Sequence, residues 1–246
     1  MSVSANKSPT ASKTGELAIL AVVIAMIISL FLPFAISIAQ KRDEQIKDLL
    51  NGKRIAVSLR QFAVDHDGAF PNREPAADYA VADDLTSANK SNDAFWWLFP
   101  TYLTNEEIFT VPGSAWSPTP PDSKLDAAGS AERTETLRQG ECAYLYVTGL
   151  ADTSNPEFPL LADAGTAEDV TVYTKLHNEK GGIWRGKRAI LVFVDGSGGI
   201  VRVDDQTKPT AAFVKRSGRL HNIFDTTAST SDDPWLSAGN IVLAPD

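Results

Sequence analysis

The residues of this chain whose types and spacing could do chemistry are carboxylates. The first, Glu16, stands at the edge of an uncharged run, Leu17 to Ala39. A carboxylate there can complement the positive end of a helix, worth about 0.3–1 kcal/mol. It can also neutralise an amine in a low-dielectric setting, where an unpaired charge is expensive. The next are Asp65 and Asp67 in Asp65-His66-Asp67-Gly68. That spacing echoes the start of a calcium loop, but no Glu follows at the distance an EF-hand needs, and Asx residues before glycine serve turns equally well. More carboxylates gather toward the C-terminus: Asp195 before Gly196, the pair Asp204-Asp205, then Asp225, Asp232 and Asp233.

Other reactive types are sparse. His66, His177 and His221 lie far apart among polar loop residues, which is the pattern of surface histidines. Cys142 is the single cysteine, so no internal disulfide forms and no Cys/His cluster has zinc spacing. No nucleophile elbow, zinc-protease helix, phosphate-binding loop or dinucleotide fingerprint is present, and the expectation is a non-enzymatic protein. The net charge is −8, with basic residues concentrated only at Lys41-Arg42 and Lys215-Arg216 with Arg219, which argues against nucleic acid as a partner.

The elements that must position these groups begin with the apolar run. As a helix, Glu16 to Ala39 covers about 34 Å, enough to cross a hydrocarbon core of about 30 Å. Residues 1–15 form a polar leader or tail, 16–39 a transmembrane helix, 40–66 an amphipathic stem helix and 67–246 a globular head. In the stem, Ile46, Leu49, Leu50, Ile55, Leu59 and Phe62 recur at helical steps between charged residues. Asn51-Gly52 is its weak point and a candidate bend. Gly68 and Pro71 end it.

Within the head, Phe95, Trp96, Trp97, Phe99, Tyr102 and Phe109 make the densest aromatic cluster, suited to a core under a sheet. Residues 114–140, rich in Pro, Ser and Ala, read as irregular loop. Strands are expected at 142–148, 158–163, 189–194 and 200–203, with Asp195-Gly196 in a hairpin turn between the last two. Ala211 to Lys215 looks helical, and Ile241 to Leu243 closes the chain with an apolar triplet. The fold class that follows is α+β, a long N-terminal helix with a membrane half and an amphipathic half, the latter packed on a small antiparallel sheet of three to five strands.

The run ELAILAVVIAMIISLFLP, with Glu16 at its start and Pro33 at its end, resembles the N-terminal segment of type IV pilins and type II secretion pseudopilins. LRQFAVDHDGAFPN, FWWLFPTYLTNEEIFTVPG, PLLADAG and LVFVDGSGGIVRV are similar to pieces of the major-pseudopilin type. The resemblance implies cleavage by a prepilin peptidase between Ala11 and Ser12, which makes Glu16 the fifth mature residue and Pro33 the twenty-second. The chain departs from the family pattern in having Ala11 where glycine is usual and Ser12 where a methylated phenylalanine is usual. It also has Val111-Pro112 where relatives often have Cys-Pro.

The resemblance implies a pilin-like fold and a structural subunit of a type IV pilus-like or type II secretion pseudopilus filament. Such a subunit serves protein transport, is methylated at its mature N-terminus and assembles with other pilin-like subunits. It also implies a single pass through the bacterial inner membrane with the head periplasmic or extracytoplasmic. Charge alone leaves topology nearly tied, Lys7 and Lys13 on one side against Lys41 and Arg42 on the other. Calcium near the C-terminal sheet is a family property, for which Asp195, Asp204, Asp205 and Asp225 are the candidate ligands; no other cofactor is expected. Two alternatives stand beside this reading: a signal-anchored extracytoplasmic binding or enzymatic domain that never polymerises, and a secreted protein cut after Ser37-Ile38-Ala39.

Overall fold

The computed structural model describes residues 10–71, 89–130, 133–205, 212–213, 222–226, 236–237 and 239–246. The chain divides into two compact units, 1–44 and 45–246. The predicted Asp232 and Asp233, together with His221 and most of the expected 211–215 helix, lie outside the described residues.

Helix α1 runs Thr10–Asp65. It therefore starts before Glu16, and the helix is unbroken through Pro33, where the missing N–H leaves the Ser29 carbonyl without its helical donor. In the first unit the apolar side chains are exposed along the helix, Leu17 and Ile19 through Phe31 and Leu32. This is the one helix among the described residues long and apolar enough to cross a membrane, with a mean hydropathy of 2.9 over its most apolar window.

The second unit begins with the last turns of α1. Asp48, Asn51, Gly52, Ile55, Ala56, Leu59, Phe62 and Ala63 are buried, steps of three and four that put them on one stripe. The stripe lies on a five-stranded antiparallel sheet, in the order β4-β3-β2-β1-β7. Its strands are β1 Tyr144–Thr148, β2 Pro159–Asp163, β3 Arg188–Phe193, β4 Gly198–Arg202 and β7 Ile241–Leu243. A separate ribbon pairs β5 Asp204–Asp205 with β6 Ala212–Phe213. Ala212–Phe213 is thus strand where the sequence suggested helix: two residues are too few to show a period, and pairing with β5 decides them.

Strands β1 and β2 are buried at every position, as is most of β3. They form the middle of the sheet, and both of their faces are covered. Tyrosines fit there because their hydroxyls find acceptors: Tyr146 donates to the Pro71 carbonyl at 2.7 Å and Tyr144 to the Asp48 carbonyl at 3.1 Å.

Helix α1 runs unbroken through Asn51-Gly52. A Cβ at Gly52 would stand 3.2 Å from Val192 Cγ2 and 3.3 Å from Leu161 Cδ1, so the glycine lies where the helix backbone comes close to β2 and β3. Helix α2, Ser91–Trp96, seats the aromatic cluster beside it. Phe95 packs on Phe109 and Tyr146, and Ser91 Oγ donates to the Tyr144 carbonyl at 2.7 Å. The aromatics are core, as expected from their density.

Candidate functional site

The outward face of α1 in the second unit carries aliphatic side chains among its charged ones. Ile46, Leu50, Val57 and Val64 are exposed, the last three at steps of seven residues, with Val64 78% accessible. Between Leu50, Val57 and the segment carrying Leu103 and Ile108 lies an open groove of about 490 Å³ whose rim includes Lys53 and Arg54. Branched aliphatic side chains facing water over several helical turns form a stripe that a partner helix could cover.

Beneath the opposite face of the same helix lies a second feature. Asp48 and Asp163 are each only 2% exposed. The Tyr144 hydroxyl donates to Asp48 Oδ1, and the Ile190 backbone N–H donates to Asp163 Oδ1 at 2.6 Å. The second oxygen of each carboxyl has no hydrogen-bond partner. Tyr173 donates to the Asp163 carbonyl rather than its carboxyl, and the buried Trp184 indole N–H lies beside Asp163, outside hydrogen-bonding geometry but near enough to favour its ionised form. No ion pair reaches either group among the described residues. Burial therefore pushes both carboxyls up, partly countered at Asp48 by the Tyr144 hydroxyl; at Asp163 the neighbouring Asp48 pushes further, against the Ile190 N–H and the Trp184 indole, which only partly offset it.

A third carboxyl cluster sits in the loops. Glu106 and Glu141 are fully buried. Glu106 accepts the Leu137 N–H and is pushed up to about 7, by burial first and then by Glu141 and Asp122. Arg138 occupies the space between Asp122 and Glu141, so that cluster already holds its own cation.

The residues singled out from sequence are placed less closely. Ala11, Ser12, Glu16 and Pro33 all lie within α1, and Glu16 and Pro33 face outward from it. Asp195 is in the β3–β4 turn, where Gly196 takes φ +80°; its Oδ1 accepts the Ser197 N–H at 2.7 Å and its carbonyl accepts Arg60 Nη1 at 2.7 Å. Asp225 caps a short turn, its N–H bonded to the Asn222 carbonyl. Asp204 and Asp205 are placed by backbone alone, in β5. Among the described residues no three His, Cys, Asp or Glu side chains gather closely enough to hold a metal ion.

Asp65 accepts the Tyr102 hydroxyl at 2.7 Å, and His66 stacks on Phe62 at 3.7 Å between ring centroids. These are turn and packing roles. The Asp48–Asp163 pair escaped sequence reading because each carboxyl looks ordinary in its own segment. The one available signal was Asp163 closing an otherwise apolar strand, PLLAD. No family model, no curated protein and no solved structure matches this chain.

Proposed function

We propose that the chain is a non-enzymatic, membrane-anchored subunit of a pilin-like filament, either a type IV pilus or a type II secretion pseudopilus. Its partners are then other pilin-like subunits and a prepilin peptidase acting between Ala11 and Ser12, and its head is extracytoplasmic in a bacterial inner membrane. The observation that carries the reading is the exposed stripe Leu50, Val57 and Val64 on the same helix that holds the apolar span. A membrane helix needs no such stripe beyond the bilayer to anchor a solitary head. A subunit whose stem is covered by its neighbours does, because burying an aliphatic side chain contributes about 1.5–3 kcal/mol. In that assembly Glu16 would neutralise the amine of Ser12, on its own or an adjacent chain.

The test is cross-linking in native membranes. The lone Cys142 is fully buried, so cysteines placed singly at positions 50, 57 and 64 report contacts with little background. Leu50→Cys, Val57→Cys and Val64→Cys should give cross-linked dimers, one link consuming the single accessible thiol of each chain, and Glu16→Gln should suppress the dimers while the chain still inserts. Monomer only at all three positions would overturn the filament reading in favour of a solitary anchored domain.

A further inference from the structure

The Asp48–Asp163 pair has no part in the assembly reading and points to a separate property. We propose that the two carboxyls form a proton-held catch between helix and sheet, seating residues 45–65 of α1 while at least one proton is present and releasing them when both groups ionise. The geometry is the argument. One carboxyl belongs to the helix and the other to the central strand β2, and both are sealed between those elements. Each has one oxygen satisfied by a donor and one oxygen facing no partner. Two anions in that space would leave two desolvated lone-pair sites empty and repel each other, whereas a proton gives the pair a donor.

The groups that surround the pair supply no compensating charge. From β1 comes the Tyr144 hydroxyl; from the segment after β2 come Tyr173 and the Trp184 indole; from β3 comes the Ile190 N–H. The tyrosines are themselves held neutral by burial. The basic side chains of this stretch, Lys47, Lys53 and Arg54, make no ion pair with either carboxyl.

The sign follows from linkage. A carboxyl whose folded-state proton affinity is raised above the unfolded value of 3.8 adds stability that is fully present below that value. This stability is lost as pH rises through the folded-state value, about 7 for Asp48. Helix seating should therefore be tightest in mild acid and weaken toward alkaline pH, opposite to the usual behaviour of ion-paired carboxylates.

Hydrogen exchange on the full-length protein in detergent tests this, following peptides that cover residues 45–62 between pH 5 and 9 and correcting for the intrinsic pH dependence of exchange. Protection there should fall at least about tenfold across the range, while peptides from β4 change less. Asp48→Asn and Asp163→Asn should each flatten the fall, because one of the two buried groups that must ionise is gone and the other keeps only its own burial cost. A flat wild-type profile, or Asn variants with the wild-type fall, would overturn the catch. If neither Asn variant folds, infrared titration of a Glu106→Gln chain decides the matter. A protonated-carboxyl stretch that persists at neutral pH and disappears in alkali supports the proposal, and its absence at neutral pH refutes it.

Discussion

Replacing Gly52 by alanine and by leucine measures how tightly the stem helix sits on the sheet. An alanine Cβ would stand 3.2 Å from Val192 Cγ2, 3.3 Å from Leu161 Cδ1 and 3.7 Å from Tyr144 Cε1. The first two contacts are tight but meet methyl tips, which can retreat by a few tenths of an ångström. Against that strain stands the gain of about 1 kcal/mol for alanine over glycine inside a helix. Gly52→Ala should therefore stay within about 1 kcal/mol of the parent. Leucine brings three further carbons into space already filled by Val192, Leu161 and Tyr144, and overpacking of that kind costs about 1–3 kcal/mol. Gly52→Leu should lose about 3 kcal/mol. Urea unfolding of the full-length protein in detergent, followed by tryptophan fluorescence, reads the right unit, because all five tryptophans fall in 45–246. Gly52→Leu unfolding at the same urea concentration as Gly52→Ala, with the same slope, would refute the close packing of α1 on β2 and β3.

Two further outcomes follow from individual side chains. Burial works against ionisation of Asp126, but the Thr134 hydroxyl and the backbone N–H groups of Thr136, Glu135 and Thr134 overcome it and hold its carboxyl down at about 2. A depressed carboxyl contributes stability above its unfolded value that is lost as pH falls through the folded one, so Asp126→Asn should unfold about 2 kcal/mol earlier at neutral pH, with the gap closing below about pH 3; equal urea midpoints at neutral pH would contradict it. Cys142 is fully buried and its thiol is pushed up to about 12 by that burial, so maleimide should leave it unmodified in the folded protein and label it fully in denaturant, as intact-mass measurement will show.

Much of this architecture is legible in local composition. The apolar run, the amphipathic stretch after it, and four strands of the main sheet each carry their signal within a handful of residues, because hydropathy period and turn chemistry are local properties. The long helix with an antiparallel sheet follows from those signals alone. Strand β7 does not. Its Ile241–Leu243 pairs with Tyr146, Val147 and Thr148 from a distant part of the chain, and nothing in three apolar residues names that partner. At Ala212–Phe213, the described part of the expected helix, the helical reading failed for the same reason, since pairing across β5 and β6 outweighs so short a propensity.

The groups with unusual chemistry divide the same way. Glu16 stood out in the sequence because its contrast with Leu17 to Ala39 is one of neighbours along the chain. Gly52 reads from the sequence only as a cost to the helix, and the sheet across from it adds that a Cβ there would stand tight against Val192 and Leu161. Asp48 and Asp163 were invisible. Each has polar or strand neighbours that make it look solvated, and a carboxyl becomes costly to ionise only when distant segments close over it and withhold a cation. Hydrophobic period along the chain determined the helix and most of the strands, whereas desolvation, which depends on everything that surrounds an atom in space, was decided only by the tertiary structure.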